Sequence, residues 1–521
     1  MRTLAEVPRR AAILWGRRKA LMFQRSSVSF AELADRIDRL AAALARRVSP
    51  GERVALLMEN RPEYLSCYYA VPASQGVLVP VNVFLSPAEM RAIVRDSGAS
   101  IAVVSAGILA RGTETLDDLP DLRDVLIVPS PGSSGPRHPS ISGARCLTLE
   151  QALAESSRDP APTPPGEDVA ERTALLVYTS GTTGTPKGVM LSHRNLLSNA
   201  RSCIQGVGVT PRDRVLLFLP MFHSFTSMVA MLAPLVSGMG IVLCERVDRA
   251  EIRRAITRWR PTIMPGVPAV FTAMSQARVG RLSRLLNPVR LYISGGAPLP
   301  LETLNSFEQY YRRPLCEGYG LSEASPVVSI NPPGGPRKPG SVGRPLPGVR
   351  VLVRDREGRD AAAGETGEIC VQADSVMQGY FRRGDETASA LRDGVLHTGD
   401  LGRLDSDGFI FIEGRLKDML IYRGMNVYPR EIEVVLESHP DVKEAAVIGI
   451  PAGARGEVPY AFVVPMEGRP LAESDLRRTC LAQLARYKVP RTFRVVSELP
   501  RNAAGKVAKM QLKERVLTAG V

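Results

Sequence analysis

The sequence has few of the residues that build disulfide frameworks or metal clusters. Its 521 residues include seven cysteines and five histidines, all dispersed, and no two cysteines form a CxxC pair. Such dispersion argues against a disulfide framework and against a zinc site. It also favours a reducing compartment, so we expect the protein to be cytoplasmic.

The sequence also lacks a hydrophobic run long enough to cross a membrane. The longest apolar stretch, VAMLAPLVSGMGIVLC at 229–244, contains Pro234 and two glycines. It falls short of the roughly 20 residues of a membrane helix, and we interpret it as a buried helix followed by a strand. The opening segment, MRTLAEVPRRAAILWGRRKALMF, is interrupted by charges and a proline, which argues against a signal peptide. The sequence therefore predicts no transmembrane segment.

Positive charge is what the sequence has in excess. It contains 67 Lys and Arg against 53 Asp and Glu, a formal net charge of +14. Nucleic acid, an anionic membrane or an acidic small molecule would each suit this charge, and the high arginine content of a GC-rich genome explains it as well. A hydrophobic content of 44% is that of a soluble globular protein, and the chain length predicts at least two domains.

Hydrophobic patterning predicts an α/β fold. Helical periodicity over 29–48 follows a serine cap, and short apolar runs such as RVALLMEN, VLVPVN and SIAVVS alternate with further helical segments. This alternation predicts a largely parallel sheet. We expect a large domain at 1–416, made of α/β subdomains and a β-rich subdomain at about 340–414, and a small mobile α+β domain at 417–521.

One loop has the composition of a phosphate-binding element. The stretch YTSGTTGTPKGVMLSH runs from Tyr178 to His193. Its glycines let backbone N–H groups turn toward an anion, and its hydroxyls and lysine add donors and charge. An ATPase P-loop is excluded, because Lys187 follows Pro186 and precedes Gly188 instead of standing between Gly and Ser or Thr. An apolar strand before the loop and a helix capped by Ser192 after it predict an anchored loop.

The whole stretch resembles the phosphate-binding signature of the adenylate-forming superfamily, the AMP-dependent synthetases and ligases that include acyl-CoA synthetases. Further family motifs follow in order: PMFHSFT from Pro220, SGGAPLP from Ser294, EGYGLSEASP from Glu317, TGD at Thr398–Asp400, GRLKDMLIYRGMNVYPREIE from Gly414 and LPRNAAGKV at Leu499–Val507. One departure is Ser322, where the family commonly has threonine; the hydroxyl is kept. The resemblance covers nearly the whole chain and is strongest to fatty-acyl-CoA ligases.

The resemblance implies a two-step reaction. A carboxylate attacks the α-phosphate of ATP, releasing pyrophosphate and forming an acyl-adenylate, and a thiol then displaces AMP. It implies Mg²⁺ bound by Glu323 with help from Thr182. It also implies ATP and AMP binding by a longer set: Thr179, Ser180, Gly181, Thr182, Thr183, Gly184, Lys187, Gly296, Ala297, Pro298, Glu317, Gly318, Tyr319, Gly320, Ser322, Asp400 and Arg415.

The same resemblance assigns roles to the carboxyl-terminal segment. Lys506 is implied as the catalytic residue, bridging the attacking carboxylate and the α-phosphate. Lys417 occupies the hinge position about which the small domain rotates between the two steps. Arg423 and Gly424 are implied to line the channel for the thiol of coenzyme A.

The motifs say less about which carboxylic acid is activated and which thiol accepts the acyl group. His223, Ser227 and Gly295 are implied in the acyl pocket, and no aspartate in PMFHSFT pairs with an ammonium, which argues against an α-amino acid. We favour a medium- or long-chain fatty acid, with an aryl acid as the alternative. CoA is the expected thiol, since the insertion of fatty-acyl-AMP ligases is missing between Ser322 and Asp400.

Three alternatives are an acyl carrier protein as the acceptor, a different reaction of the adenylate, and nucleic acid as a partner. A stretch of nine Lys and Arg against two Glu, between Arg486 and Arg515, would suit CoA phosphates or an acidic acyl carrier protein. A luciferase-like adenylating oxidase shares every motif. Nucleic acid is not expected, because only Tyr487 and Phe493 interleave with these basic residues. The oligomeric state, monomer or homodimer, is left open.

Overall fold

The computed structural model describes residues 1–130, 141–155, 167–179, 186–277, 284, 286–355, 357–422, 425–452, 457–501 and 506–518. The chain forms two compact units. The first comprises Met1–Val351 and Val371–Leu396, and the second comprises Leu352–Cys370 and His397–Val521. The predicted division at residues 416 and 417 concerns a movement between domains, and it stays a prediction.

The strands are distributed along the whole chain. They are β1 Lys19–Phe23, β2 Ser26–Ser29, β3 Arg53–Leu57, β4 Val77–Pro80, β5 Ile101–Ser105, β6 Asp124–Val128, β7 Arg145–Thr148, β8 Thr173–Thr179, β9 Lys187–Ser192, β10 Arg214–Leu217, β11 Gly240–Leu243, β12 Ile263–Gly266, β13 Leu291–Ser294, β14 Leu315–Gly320, β15 Val327–Ile330, β16 Arg344–Pro345, β17 Arg350–Arg354, β18 Gly367–Gln372, β19 Gly379–Tyr380, β20 Leu391–Arg392, β21 Val395–Leu404, β22 Ile410–Arg415, β23 Leu420–Tyr422, β24 Met425–Val427, β25 Val442–Pro451, β26 Glu457–Pro465 and β27 Thr492–Val495.

The helices alternate with these strands through the first unit. They are α1 Glu6–Trp15, α2 Phe30–Ala45, α3 Pro62–Ala73, α4 Pro87–Ser97, α5 Ala106–Leu109, α6 Leu149–Ala154, α7 His193–Val207, α8 Ser224–Ser227, α9 Ala233–Ser237, α10 Arg249–Trp259, α11 Pro268–Gln276, α12 Leu301–Tyr311, α13 Gly384–Ala390, α14 Pro429–Glu437, α15 Glu473–Gln483 and α16 Lys509–Thr518. A π-helical turn, Met228–Leu232, joins α8 to α9, and 3₁₀ turns lie at Thr113–Thr115, Glu167–Glu171, Ser322–Ala324 and Leu416–Asp418.

The first unit is built on two mixed sheets. One has the order β16-β15-β14-β13-β12-β10-β11-β1-β2, with the strands from β14 to β1 parallel. The other has the order β19-β9-β8-β4-β3-β5-β6-β7, with the strands from β8 to β7 parallel. The parallel strands are largely buried on both faces, as β5 is throughout, so the α/β prediction is confirmed.

Side-chain caps fix where several helices begin. Ser29 and Glu32 form a capping box at α2, and Ser86 and Glu89 form one at α4. Each box satisfies two backbone N–H groups that the first helical turn leaves without intrahelical partners. The run at 229–244 folds into the π-helical turn, α9 and β11, which confirms a buried helix and strand. No described helix is long and apolar enough to span a bilayer.

The β-rich segment and the carboxyl-terminal segment have sheets of their own. A five-stranded sheet has the order β17-β18-β21-β20, with β22 paired to β21. Strands β23 and β24 form a hairpin, and β25, β26 and β27 form a three-stranded sheet. That last sheet is covered on one face by α14 and α15 and on the other by α16, where Leu512 and Val516 are buried.

Candidate active site

The phosphate motif begins and ends in two paired strands. β8 and β9 are antiparallel, and Thr179 is the register partner of Lys187, so the two strands form a hairpin. The predicted helix with its Ser192 cap is observed as α7, where Ser192 forms a capping box with Asn195; β9, which precedes it, was not predicted. Ser180, Gly181, Thr182, Thr183 and Gly184 lie outside the described residues.

Lys187 points toward an acidic and aromatic pair of residues. Its Nζ lies 3.8 Å from Glu386 Oε1 and 5.5 Å from the centroid of the Tyr380 ring. The side chain is only 17% exposed, so its charge is held in one region instead of sampling solvent. The position of Lys187 at the mouth of the hairpin fits a cation that meets phosphate oxygens.

Glu323, the expected metal ligand, is held by Tyr380. The Tyr380 hydroxyl donates to Glu323 Oε1 at 2.9 Å, and the Met377 N–H donates to the Glu323 carbonyl at 2.8 Å. Burial, reinforced by the charge of Glu323, raises the pKa of the Tyr380 phenol well above its usual range. The phenol therefore stays a donor, and the half-buried carboxylate is a hard oxygen ligand of the kind Mg²⁺ accepts.

The predicted adenine slot is assembled at the ends of two neighbouring parallel strands. Ser294 of β13 is the register partner of Glu317 of β14, and Glu317 Oε1 accepts the Leu299 N–H at 2.9 Å. This bond fastens the Gly296–Pro298 turn to β14. Gly296 has φ +83°, a backbone conformation that glycine adopts without steric cost. Ligands of α/β sheets bind beyond the carboxyl ends of such strands.

Three further residues predicted to bind the nucleotide follow Glu317 on the same chain segment. Gly318, Tyr319 and Gly320 complete β14, with Gly318 and Tyr319 partly buried and Gly320 exposed. A Cβ on Gly320 would lie 2.1 Å from the Pro326 carbonyl oxygen, which no side chain tolerates. The glycine therefore allows the chain to approach itself closely at this edge.

The residues predicted to line the acyl pocket lie around Phe225. His223 is exposed, and its Nδ1 accepts the Phe225 N–H at 3.3 Å, so it caps the short helix α8. A Cβ on Gly295 would lie 3.0 Å from the Phe225 ring. Ser227 is buried on the same helix, and its Oγ donates to the Ser224 carbonyl at 2.9 Å. His223, Ser227 and Gly295 are thus brought into one neighbourhood.

A serine pair joins this acyl segment to the nucleotide motif. Ser224 Oγ lies 3.1 Å from Ser322 Oγ, although the two residues are 98 positions apart. Sequence reasoning missed Ser224, Phe225 and Tyr380, because their role depends on contacts between distant segments. The aromatic residue after the Ser of FHSF and the small residue at Gly295 were the available signals.

Asp400 and Arg415 lie in the second unit as register partners across β21 and β22. Arg415 Nε is 3.0 Å from Asp400 Oδ1, and the Asp400 side chain is only 7% exposed. The backbone of this segment is fixed by Thr398, whose hydroxyl donates to the Ile369 carbonyl at 2.6 Å and accepts the Asp400 N–H at 3.1 Å. A carboxylate so placed offers two oxygens to vicinal hydroxyls.

Lys506 is exposed and lies beside a β-bridge between Arg501 and Val507. Arg501 is itself bound by Glu444 at 2.6 Å. Lys417 lies in the 3₁₀ turn Leu416–Asp418, and its side chain is outside the description. Arg423 and Gly424 lie outside the described residues.

Ion pairs neutralise part of the positive charge of the basic stretch at 486–515. Four of its nine cations contact carboxylates from elsewhere in the second unit: Lys488 with Glu431, Arg501 with Glu444, Lys509 with Glu433 and Lys513 with Glu457, all at 2.6–2.7 Å. Lys506 has no part in these four pairs. The net positive field for an acidic partner is accordingly smaller than the residue count implied.

Comparisons with known proteins find similar sequences along most of the chain. The family model "AMP-binding enzyme" matches residues 6–381, and "AMP-binding enzyme C-terminal domain" matches residues 431–506. A long-chain-fatty-acid–CoA ligase of Bacillus subtilis is 32% identical over 98% of this chain and 94% of its own. A feruloyl-CoA synthase of an Amycolatopsis species is 33% identical over 94% of each chain.

Solved structures agree with these sequence matches. The crystal structure of ATP-bound MatB from Rhodopseudomonas palustris has a TM-score of 0.86 at 33% identity and covers 98% of both chains. Its similarity extends through both matched regions.

Proposed function

The chain belongs to the AMP-binding enzyme family, and from this premise we propose that it activates a medium- or long-chain fatty acid and transfers it to CoA. The coarser class is that of AMP-forming CoA ligases, which use ATP, Mg²⁺ and CoA. The substrate, the acceptor and the residue roles are the parts that this proposal adds.

The observation that carries the proposal is the Ser224–Ser322 contact at 3.1 Å. It holds the segment assigned to the acid beside the motif assigned to the nucleotide. Direct attack of a carboxylate on phosphorus needs the two reactants within about 3–3.5 Å of each other in a fixed orientation. A scaffold that binds the acid and the nucleotide on adjoining segments of one unit supports such a transfer.

In the first step, Lys506 would donate to the attacking carboxylate and the α-phosphate as negative charge accumulates. Such preorganised charge is usually the largest contribution to catalysis of this kind. Asp400 would accept the ribose hydroxyls, with Arg415 holding its Oδ1. Tyr319 would lie against the adenine, and the Gly296–Pro298 turn would close the slot.

The donors present in the first unit fit Mg²⁺. Glu323 offers a half-buried carboxylate oriented by the Tyr380 hydroxyl, and hard oxygen donors of this kind are what Mg²⁺ requires. When bound, the ion would neutralise phosphate charge. Thr182, the second donor assigned to it, stays an expectation.

The preference for a fatty acid rests on the segment PMFHSFT, which has no carboxylate for a substrate ammonium, and on the buried apolar residues Met228, Ala230, Met231 and Leu232 that follow it. An aryl acid with oxygen substituents is the second candidate. Thr226 Oγ1 and Ser294 Oγ are buried with no hydrogen-bond partner among the described residues, and each adjoins a member of the Phe225–Gly295 contact. Buried hydroxyls of this kind call for a polar group that pairs with them.

The experiment is pyrophosphate release with a panel of fatty, aryl and amino acids, followed by mass spectrometry of the products with CoA and with a holo acyl carrier protein. Release with C8–C16 acids and an acyl-CoA product supports the proposal. Pyrophosphate release restricted to oxygenated aryl acids would instead support the second candidate substrate, an aryl acid with oxygen substituents. Pyrophosphate release from no acid overturns both.

A further inference from the structure

We propose that Glu368, Cys370 and His397 form a binding site for a thiophilic divalent cation of the Zn²⁺ class. One ligand atom from each residue lies within 4.8 Å of the other two. Cys370 Sγ is 3.5 Å from His397 Nδ1, and Glu368 Oε2 is 2.7 Å from the same nitrogen. The site is distinct from Glu323, which is the expected ligand of Mg²⁺.

Strand geometry places these ligands together. Glu368 and Cys370 are two residues apart on β18, so their side chains share one face of the strand. His397 lies on β21, which is the neighbour of β18 in the sheet. Sequence spacing hides this arrangement, because His397 is 27 residues beyond Cys370; this is why dispersed cysteines and histidines argued against a zinc site.

The donor set selects the cation. One thiolate, one imidazole and one carboxylate with a water in the fourth position is a pattern that Zn²⁺ accepts in tetrahedral sites. Mg²⁺ and Ca²⁺ prefer oxygen donors throughout. In a tetrahedral zinc site the ligand atoms are about 3.3–3.7 Å apart, given bonds of about 2.0–2.3 Å. The S–N separation already fits, and the N–O separation has to lengthen by about half an ångström.

Without a cation, His397 Nδ1 faces two partners, the Glu368 carboxylate and the Cys370 sulfur. Nδ1 has a single in-plane proton or lone pair, so it cannot bond fully to both the carboxylate and the sulfur. A cation in place of the proton engages all three ligands at once, and its binding would release protons. Access is from the side of the acid and the imidazole, since the side chains of Glu368 and His397 are 20% and 10% exposed while Cys370 is fully buried.

Occupation of this site would act on Asp400. The second oxygen of the carboxylate, Glu368 Oε1, accepts the Gly399 N–H at 3.0 Å, immediately before Asp400. A cation moves the carboxylate away from the imidazole nitrogen to the longer ligand spacing and weakens this bond, which displaces the backbone that orients Asp400. On the proposed role of Asp400 in ribose binding, the cation would therefore weaken nucleotide binding.

The first test uses Co²⁺ as a spectroscopic probe of the purified full chain after chelator treatment. A sulfur-to-cobalt charge-transfer band is expected at one cation per chain, reversed by Zn²⁺, and lost in Cys370→Ala. The matched control is Cys146→Ala, which removes a partly exposed thiol in the first unit and should keep the band. A missing band in the unmodified protein, or an undiminished band in Cys370→Ala, overturns the site. Neither result depends on ligase activity.

The second test measures AMP affinity by calorimetry with and without Zn²⁺. Zn²⁺ should weaken AMP binding at least about fivefold, the lower range of coupling between sites, and should have no effect on Cys370→Ala. Without Zn²⁺, Cys370→Ala should bind AMP as the unmodified protein does, which also reports its folding. An equal effect of Zn²⁺ on both proteins overturns the coupling.

Discussion

The Tyr380 hydroxyl donates to the Glu323 carboxylate at 2.9 Å. Tyr380 lies on β19, and Glu323 lies in the 3₁₀ turn Ser322–Ala324. The Met377 N–H joins the same two segments through the Glu323 carbonyl. The position of the expected metal ligand is therefore set by a strand 57 residues further along the chain.

Tyr380→Phe should raise the Mg²⁺ concentration that half-saturates pyrophosphate release by about tenfold. A hydrogen bond to a charged group contributes about 1.5 kcal/mol or more, and its loss lets the carboxylate rotate away from its ligand position. Titration of Mg²⁺ at saturating ATP measures this. Tyr69→Phe, which removes a more deeply buried hydroxyl bonded to the Met231 carbonyl, is the control. An unchanged Mg²⁺ requirement in Tyr380→Phe would remove Tyr380 from the metal site.

Lys506→Ala should lower adenylate formation at least about 100-fold, because the charge that meets the developing oxyanion is lost. Transfer to CoA from a supplied acyl-adenylate should be spared. Pyrophosphate exchange and adenylate-dependent thioester formation separate the two half-reactions. Lys513→Ala is the matched control, since this lysine pairs with Glu457 in the same stretch. Equal loss of both half-reactions would contradict the catalytic role.

Gly424→Leu should impair thioester formation more than adenylation. The prediction comes from the sequence, since Gly424 is assigned to the channel where a pantetheine arm passes close to the backbone. The same two assays apply, and Gly424→Ala should give an intermediate loss. If adenylation falls as far as thioester formation, the channel assignment is wrong.

Gly295→Ala should raise KM for the acid about fivefold and leave KM for ATP unchanged. The new Cβ would lie 3.0 Å from Phe225, and overpacking of this kind costs about 1 kcal/mol. Steady-state kinetics with the best acid and a shorter homologue measure it, and the shorter acid should lose less. Gly384→Ala, where a Cβ meets nothing within 4 Å, is the control. A rise in KM for ATP instead would place Gly295 outside the acyl pocket.

Asp213→Asn should destabilise the first unit in a pH-dependent way. Burial by itself would raise the pKa of Asp213, but hydrogen bonds from Arg290, the Thr210 backbone and Thr262 outweigh it and hold the pKa at about 2, against 3.8 ordinarily. After allowance for the exposed Arg290 side chain, the ionised form contributes about 1–2 kcal/mol.

This contribution is fully present above pH 3.8 and is lost as the pH falls toward 2, because the unfolded chain takes up the proton first. Urea midpoints of the two proteins should therefore differ at pH 7 and converge as the pH is lowered from about 4 toward 2. Asp35→Asn, at an exposed pair with Arg39, should match the unmodified protein throughout. A constant gap between Asp213→Asn and the unmodified protein would refute the linkage.

Local chemistry made much of the fold predictable. The Ser29 cap and the alternating elements follow from patterns within about 20 residues, and each is observed. The strand that follows the phosphate loop was missed, because KGVMLS is short and glycine-containing and its pairing with β8 and β19 decides its conformation.

The candidate site was predictable in its motifs and not in its contacts. Glu323, Asp400 and Arg415 were identifiable by resemblance, whereas the partners Tyr380 and Ser224 depend on chain crossings that no local pattern records. The ion pairs of Lys488 and Lys513 were likewise hidden, because a count of charges along the chain does not show which carboxylates fold against them.

Strand β19 connects the two segments that are expected to bind the triphosphate of ATP. Its Tyr380 pairs with Val189 of β9 and also holds Glu323, so one short strand is bonded both to the hairpin of β8 and β9 and to the expected metal ligand. A shift of either would be transmitted to the other through backbone hydrogen bonds. The acid-binding segment contacts this assembly through the small, adjustable Ser224–Ser322 pair. Substitutions in the segment expected to bind the acid would thus change the preferred acid, while the segments expected to bind phosphate keep their alignment.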